Sequence, residues 1–197
     1  RLVLLGHVGS THKKVEYIMA IAKQLAERGI ASMSIDGPGH GERSSGEMGR
    51  DPNAFSRIWE AGGGTEGMLA DWRAALDFIE AEEGARPTGW WGLSMGTMMG
   101  LPVVATDSRI KVALLGLMGG WGPNGDDLLR LAPEVKCPVR FLLQWDDEIV
   151  PRDAGIKLFG LLGTTKKTLH MNPGAHSAVP AFESNDSVAY LDARLKA

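Results

Sequence analysis

Apolar runs that do not alternate with polar residues constrain this chain most. Leu2-Val3-Leu4-Leu5, Thr88 to Leu93, Lys111 to Met118 and Val139 to Trp145 are apolar over nearly every successive residue. A strand with one face in water shows a polar residue at every second position, so these strands must be covered on both faces. Ile30 to Ile35 and Lys167 to Met171 read as two further strands. Helical spacing fills the gaps: Val15, Ile18, Met19, Ala22 and Leu25 recur on one face, and Gly29 stands where a helix-ending glycine belongs. Met68, Trp72, Ala75, Leu76 and Ile79 mark a second helix ending near Glu83-Gly84, and a small-residue helix runs from Ser94 to about Ala105. Shorter helices are expected at Asp126 to Leu131, Asp153 to Leu162 and Val188 to Leu195. From Gly41 to about Gly67 the chain is rich in Gly, Ser and charge, and reads as a long loop with one helical turn near Phe55 to Trp59. Strands alternating with helices imply right-handed crossovers. The expected fold is α/β, a mostly parallel sheet with helices on both faces.

With 197 residues, 44% of them hydrophobic, the chain suffices for one substantial core, and a single domain over 1–197 is expected. Its net charge of -3, with Lys and Arg scattered, gives no field for nucleic acid. No apolar run approaches the ~20 residues of a membrane span and no signal-peptide pattern opens the chain, so it reads as a cytoplasmic protein with small-molecule partners. It begins with Arg1 directly in a strand, so the native start is expected upstream, and a removed signal peptide stays open. The one cysteine, Cys137, allows no internal disulfide and reads as a buried structural thiol at a strand entrance.

In a parallel sheet, reactive groups gather beyond the C-terminal ends of the strands. Gly92-Leu93-Ser94-Met95-Gly96 falls at such a strand-to-helix junction, where small flanking residues permit the sharp turn that exposes a serine hydroxyl. A serine at neutral pH needs a base, and the base needs a carboxylate to fix its tautomer. His176, in the turn after the last strand, and Asp147, after the preceding strand, supply them in the order Ser, Asp, His. Asp146 is the rival acid, disfavoured by the spacing to Val150-Pro151; Asp126 and Asp127 read as a helix start, and His7 and His40 as structural residues of tight turns. His12 and His170 lack partners at metal-ligand spacing, and neither HExxH, GxGxxG nor GxxxxGK[ST] occurs, so no metal and no cofactor is expected. Met95, Met98 and Met99 read as packing residues; Trp59, Trp121 and Trp145 suit either a pocket wall or the core.

Four motifs in order give the chain a specific resemblance. Gly6-His7-Val8-Gly9 resembles a His-Gly-X oxyanion turn, and Asp36-Gly-Pro-Gly-His-Gly-Glu-Arg-Ser44 resembles an Asp-x-Pro-Gly-His-Gly-x-Ser segment. Gly92 to Gly96 matches a nucleophile elbow and Asp147-Glu-Ile-Val-Pro151 an acid turn, with the histidine downstream. Over nearly its whole length the chain resembles the α/β-hydrolase superfamily. The resemblance implies a serine hydrolase with an oxyanion hole formed by the backbone amides of Met95 and Gly9. Val8 stands where the family usually has glycine, which leaves open which amide points inward. It implies further that two leading antiparallel strands lie upstream, and that the lid is minimal, the site being roofed in part by the Gly41 to Gly67 loop. The expected activity is a carboxylesterase acting on a small-molecule ester. A peptidase or amidase of the prolyl-oligopeptidase kind and a catalytically silent binding protein are the alternatives. A dienelactone hydrolase would carry cysteine where Ser94 stands.

Overall fold

A computed structural model describes residues 1–44, 46 and 53–196. Six strands, β1 (Leu2–Gly6), β2 (Ala31–Met33), β3 (Thr88–Gly92), β4 (Ile110–Gly116), β5 (Val139–Gln144) and β6 (Lys167–Asn172), form one sheet in the order β2-β1-β3-β4-β5-β6. Every neighbouring pair is parallel. Successive residues on each inner strand enter different cores, which explains the unbroken apolar runs. Leu4, Trp90, Ala113, Leu115 and Phe141 belong to one face. Val3, Leu5, Trp91, Val112, Leu114 and Leu142 belong to the other.

Helices α1 (Glu16–Ala26) and α7 (Ala181–Leu195) cover the second face through Ile18, Ile21, Leu25, Val188, Leu191 and Leu195. The first face lies under α3 (Gly64–Glu83), α4 (Met95–Thr106), α5 (Gly125–Leu131) and α6 (Arg152–Leu161). Trp72 of α3 packs edge-on against Trp90 at 4.7 Å between ring centroids. Burying two indoles in contact contributes on the order of several kcal/mol. Two glycines let α4 lie against the sheet: a β-carbon at Gly96 would meet the Gly6 carbonyl oxygen at 2.5 Å, and one at Gly100 would overlap the Trp90 indole.

The expected Gly41 to Gly67 loop is largely helical in its described part. Helix α2 (Ala54–Ala61) precedes α3, which begins at Gly64, about one turn ahead of the apolar spacing that starts at Met68. Residues 45 and 47–52 of that stretch lie outside the described residues. Strand β2 is shorter than Ile30 to Ile35 because only Ala31, Ser32 and Met33 pair with β1. Helix α7 starts seven residues before Val188, with Pro180 just ahead of its first turn. The order β2-β1-β3 means that the chain leaves β1 toward one sheet edge and returns on the other side. The loops after β1 and β3 therefore part, and the crevice between them is where this architecture places a ligand.

Candidate active site

Ser94 occupies that crevice in a conformation few residues tolerate, with φ 54° and ψ -120°. Such backbone costs on the order of 1–3 kcal/mol and needs surrounding bonds to hold it. The Ser94 amide donates to the Gly116 carbonyl at 2.9 Å, and the Ser94 carbonyl accepts from Thr97 N–H at 2.8 Å. Thr97 Oγ1, fully buried, lies 2.7 Å from the Gly116 carbonyl and accepts the Gly116 amide at 2.8 Å, fastening α4 to β4. Gly92 and Gly96 are small of necessity, since a β-carbon on Gly92 would meet the Gly96 carbonyl oxygen at 2.7 Å.

His176 reaches Ser94 from the loop between β6 and α7. Its Nε2 lies 2.9 Å from Ser94 Oγ, and its Nδ1 lies 2.7 Å from Asp147 Oδ2. With the carboxylate accepting from Nδ1–H, Nε2 is left to accept the serine proton. Asp147 is itself fixed: Oδ1 accepts the Ile149 and Val150 amides at 2.9 and 2.8 Å. The acid loop also grips the histidine loop. Glu148 Oε2 accepts His176 N–H at 2.9 Å, Asp146 Oδ2 accepts Gly174 N–H at 2.9 Å, and buried Gln144 donates to the Ala178 carbonyl at 2.9 Å. The His176 amide holds the Glu148 carboxyl below its ordinary pKa. These three loop ties have no periodicity or motif to announce them in the sequence.

The two residues expected in the oxyanion turn and at the elbow, Gly9 and Met95, both line a cleft of about 280 Å³ that opens onto Ser94. Met95 N–H, at the first position of α4, and Gly9 N–H donate to no protein acceptor among the described residues. At Val8, where the family usually has glycine, the amide is engaged, donating to Tyr17 Oη at 2.6 Å. His7 and His40 are buried turn residues that bond backbone, and burial pulls both imidazoles below their ordinary pKa.

The cleft wall is largely apolar, made by Ala54, Phe55, Met98, Met118 and Val150 with Ser10 and His40 beside Gly9, and half-exposed Trp121 and Ile149 stand at the mouth. Among the described residues of the Gly41 to Gly67 stretch, helix α2 supplies the part of that wall made by Ala54 and Phe55. Met98 both packs in the core and faces the cleft, whereas Met99 and Trp59 belong to the core alone. Trp145 stands outside, exposed, with the Arg152 guanidinium 4.1 Å over its ring. Ala54 and Phe55 were the wall residues the sequence concealed, although Ala54, Phe55, Ile58 and Trp59 carry helical spacing. A larger hollow of about 660 Å³ lies at the opposite edge of the sheet, bordered by Arg86, Arg109 and Lys111. Those cations are engaged with Glu83, with Asp107, Asp77 and Glu80, and with the Ser108 carbonyl respectively. Among the described residues no three His, Cys, Asp or Glu side chains are grouped to hold a metal ion, and no helix is long and apolar enough to cross a membrane.

No family model matches the chain, and no curated protein matches it. Solved structures do. A cold-adapted esterase from an Arctic intertidal metagenomic library, in a polyethylene glycol-bound complex, is 69% identical with a TM-score of 0.93, over 99% of this chain and 82% of that one. The chain belongs to the α/β-hydrolase esterases. The native structure described for such an esterase from the same source aligns at 63% identity and a TM-score of 0.87, again over 99% of this chain and 82% of the other. A Thermus thermophilus protein at 21% identity and a TM-score of 0.81, over all of this chain and 89% of its own, shares the hydrolase fold. In this esterase fold the serine turn, acid turn and histidine loop all leave the same sheet edge, after β3, β5 and β6.

Proposed function

We propose that the chain hydrolyses small to medium carboxylic esters through an acyl-serine intermediate on Ser94. The observation that carries this reading is the Asp147–His176–Ser94 relay, at 2.7 and 2.9 Å, opening onto a cleft with two amides that are unengaged among the described residues. In the first step His176 Nε2 takes the hydroxyl proton as Ser94 Oγ attacks the ester carbonyl. The negative charge that develops on the carbonyl oxygen is met by the amides of Met95 and Gly9, each contributing on the order of 10²–10³ in rate. Collapse expels the alcohol, which takes the proton back from His176, and leaves the acyl group on Ser94. Water then gives a proton to His176 and attacks the acyl-enzyme, and the second collapse releases the acid and restores the serine. Asp147 keeps its charge throughout and stabilises the imidazolium formed in each half.

The substrate class follows from the cleft. Its largely apolar wall and its volume of about 280 Å³ suit a compact acyl group, at the small end of ligand pockets. The test is turnover of p-nitrophenyl acetate, butyrate and octanoate by the wild type and Ser94→Ala, with aminoacyl anilides alongside. Hydrolysis of the shorter esters that disappears in the folded variant is the expected result. Undiminished turnover by Ser94→Ala would remove the nucleophile, and anilide hydrolysis exceeding ester hydrolysis would move the enzyme to the amidase class.

A further inference from the structure

The partners of three successive amides after β1 decide which one can face the cleft. Val8 N–H is taken by Tyr17 Oη at 2.6 Å and Ser10 N–H by His40 Nε2 at 2.9 Å. Gly9 N–H between them is unengaged among the described residues, and a β-carbon built on Gly9 would meet nothing within 4 Å, so this residue borders open space. Ser10 has φ 60°, a left-handed conformation that a non-glycine residue keeps only when its neighbours hold it there.

His40 is built to be that neighbour. Its Nδ1–H donates to the Pro38 carbonyl at 2.8 Å, which leaves Nε2 as a bare acceptor aimed at Ser10. The ring is 3% exposed and meets Phe55 edge-on at 6.0 Å, so it has little room to turn. A second imidazole ties the same two loops in the reverse sense: His7 Nε2 accepts Gly37 N–H at 2.9 Å, while His7 Nδ1–H donates to the Val8 carbonyl at 2.8 Å. Each loop thus lends a histidine to an amide of the other.

We propose that His40 is a positioning residue for the oxyanion hole: by accepting the Ser10 amide it fixes the turn in which Gly9 N–H, and neither neighbour, faces the developing oxyanion. The proposal rests on the serine-hydrolase reading above. His40 also borders the cleft, but both its ring nitrogens are committed, to the Pro38 carbonyl and the Ser10 amide, so it offers substrate no hydrogen bond, and its removal should weaken binding of the transition state far more than binding of the ester.

The wild type tests it first. Long-range 1H–15N correlation of the labelled protein at pH 7.5 should find the His40 proton on Nδ1 with Nε2 unprotonated; a proton on Nε2 overturns the proposal without any variant. His40→Leu should then lower kcat about 10- to 100-fold with KM held within about two-fold. It should also weaken a trifluoromethyl ketone, whose serine adduct carries an oxyanion, by the same factor as kcat/KM. His40→Gln, with Oε1 able to accept the Ser10 amide, should keep kcat within about five-fold of wild type. A folded His40→Leu with kcat within about three-fold of wild type, or a KM effect alone, overturns the proposal. His40→Gln falling as far as His40→Leu does so too, and if His40→Leu does not fold, His40→Gln and the imidazole tautomer decide. A fluorophosphonate that labels wild type and both variants at Ser94 keeps the serine-hydrolase reading intact whatever His40 does; absence of labelling in the wild type would sink that reading instead.

Discussion

Thr97→Val removes one oxygen from the most crowded part of the serine turn while nearly conserving volume. The hydroxyl accepts the buried Gly116 amide at 2.8 Å and has its proton to give to the Gly116 or Gly92 carbonyl, at 2.7 and 3.0 Å. The Gly116 carbonyl keeps the Ser94 amide at 2.9 Å, so the principal loss is a buried N–H with no acceptor. Stranding that donor costs about 1–3 kcal/mol, and the second hydrogen bond adds about 1 kcal/mol, so a destabilisation of about 3 kcal/mol is expected. Thr97→Ser is the control: both bonds survive and only a buried methyl is lost, for about 1 kcal/mol. With an m-value of about 2 kcal/mol/M, the urea midpoint should fall by about 1.5 M for Thr97→Val and about 0.5 M for Thr97→Ser, with m unchanged. Ester turnover should fall further in the valine variant, because Gly116 also anchors Ser94. Equal midpoints for the two variants would refute the reasoning, since the hydroxyl would then carry none of the stability.

Three more outcomes are expected. Burial alone would raise the Asp36 pKa, but bonds from Lys13 Nζ and from the Lys13 and Glu42 amides outweigh it and hold the carboxyl at about 2. A depressed carboxyl pKa stabilises above its unfolded value, near 3.8, and that contribution fades as pH falls through about 2. Asp36→Asn should therefore be less stable by about 2 kcal/mol at pH 7 and approach wild type near pH 2 in denaturant titrations; a gap independent of pH would contradict this. Cys137 is partly buried, not fully buried as expected from the sequence, and desolvation pushes its thiol up to about 11, so folded protein at pH 8 should resist a disulfide reagent and keep its activity, where stoichiometric labelling within minutes would speak against a shielded thiol. Phe55→Ala should open the cleft wall and raise the octanoate-to-butyrate ratio of kcat/KM at least about three-fold, and an unchanged ratio would take Phe55 out of the substrate's path.

Much of the fold was legible because the two-sided burial of β1, β3, β4 and β5 leaves apolar runs that no exposed strand shows. That Ser94, Asp147 and His176 come together was foreseeable for a related reason: each follows a readable strand, and their chain order is the one this fold uses. Helix α2 was read only as one turn near Phe55 to Trp59, because it is eight residues long and Gly62-Gly63-Gly64 follows it. Glycines argue locally against helix, yet at Gly67 the fold of the preceding turn demands one, since a β-carbon there would overlap the Gly62 carbonyl five residues earlier. The choice among the Val8, Gly9 and Ser10 amides was illegible because Tyr17 and His40, nine and thirty residues away, make it. The same holds for Gln144, Asp146 and Glu148, whose bonds to the histidine loop exist only once β5 and β6 are side by side.

The central claim is that Ser94 is the nucleophile, driven by His176 and Asp147. Reaction with a fluorophosphonate, followed by intact-mass and peptide mass spectrometry alongside residual p-nitrophenyl butyrate turnover, tests it most directly. The account expects one adduct per chain, on Ser94, with activity lost in proportion to labelling, and far slower labelling of folded His176→Ala. An adduct on another residue, or full labelling of Ser94 with turnover intact, would contradict it.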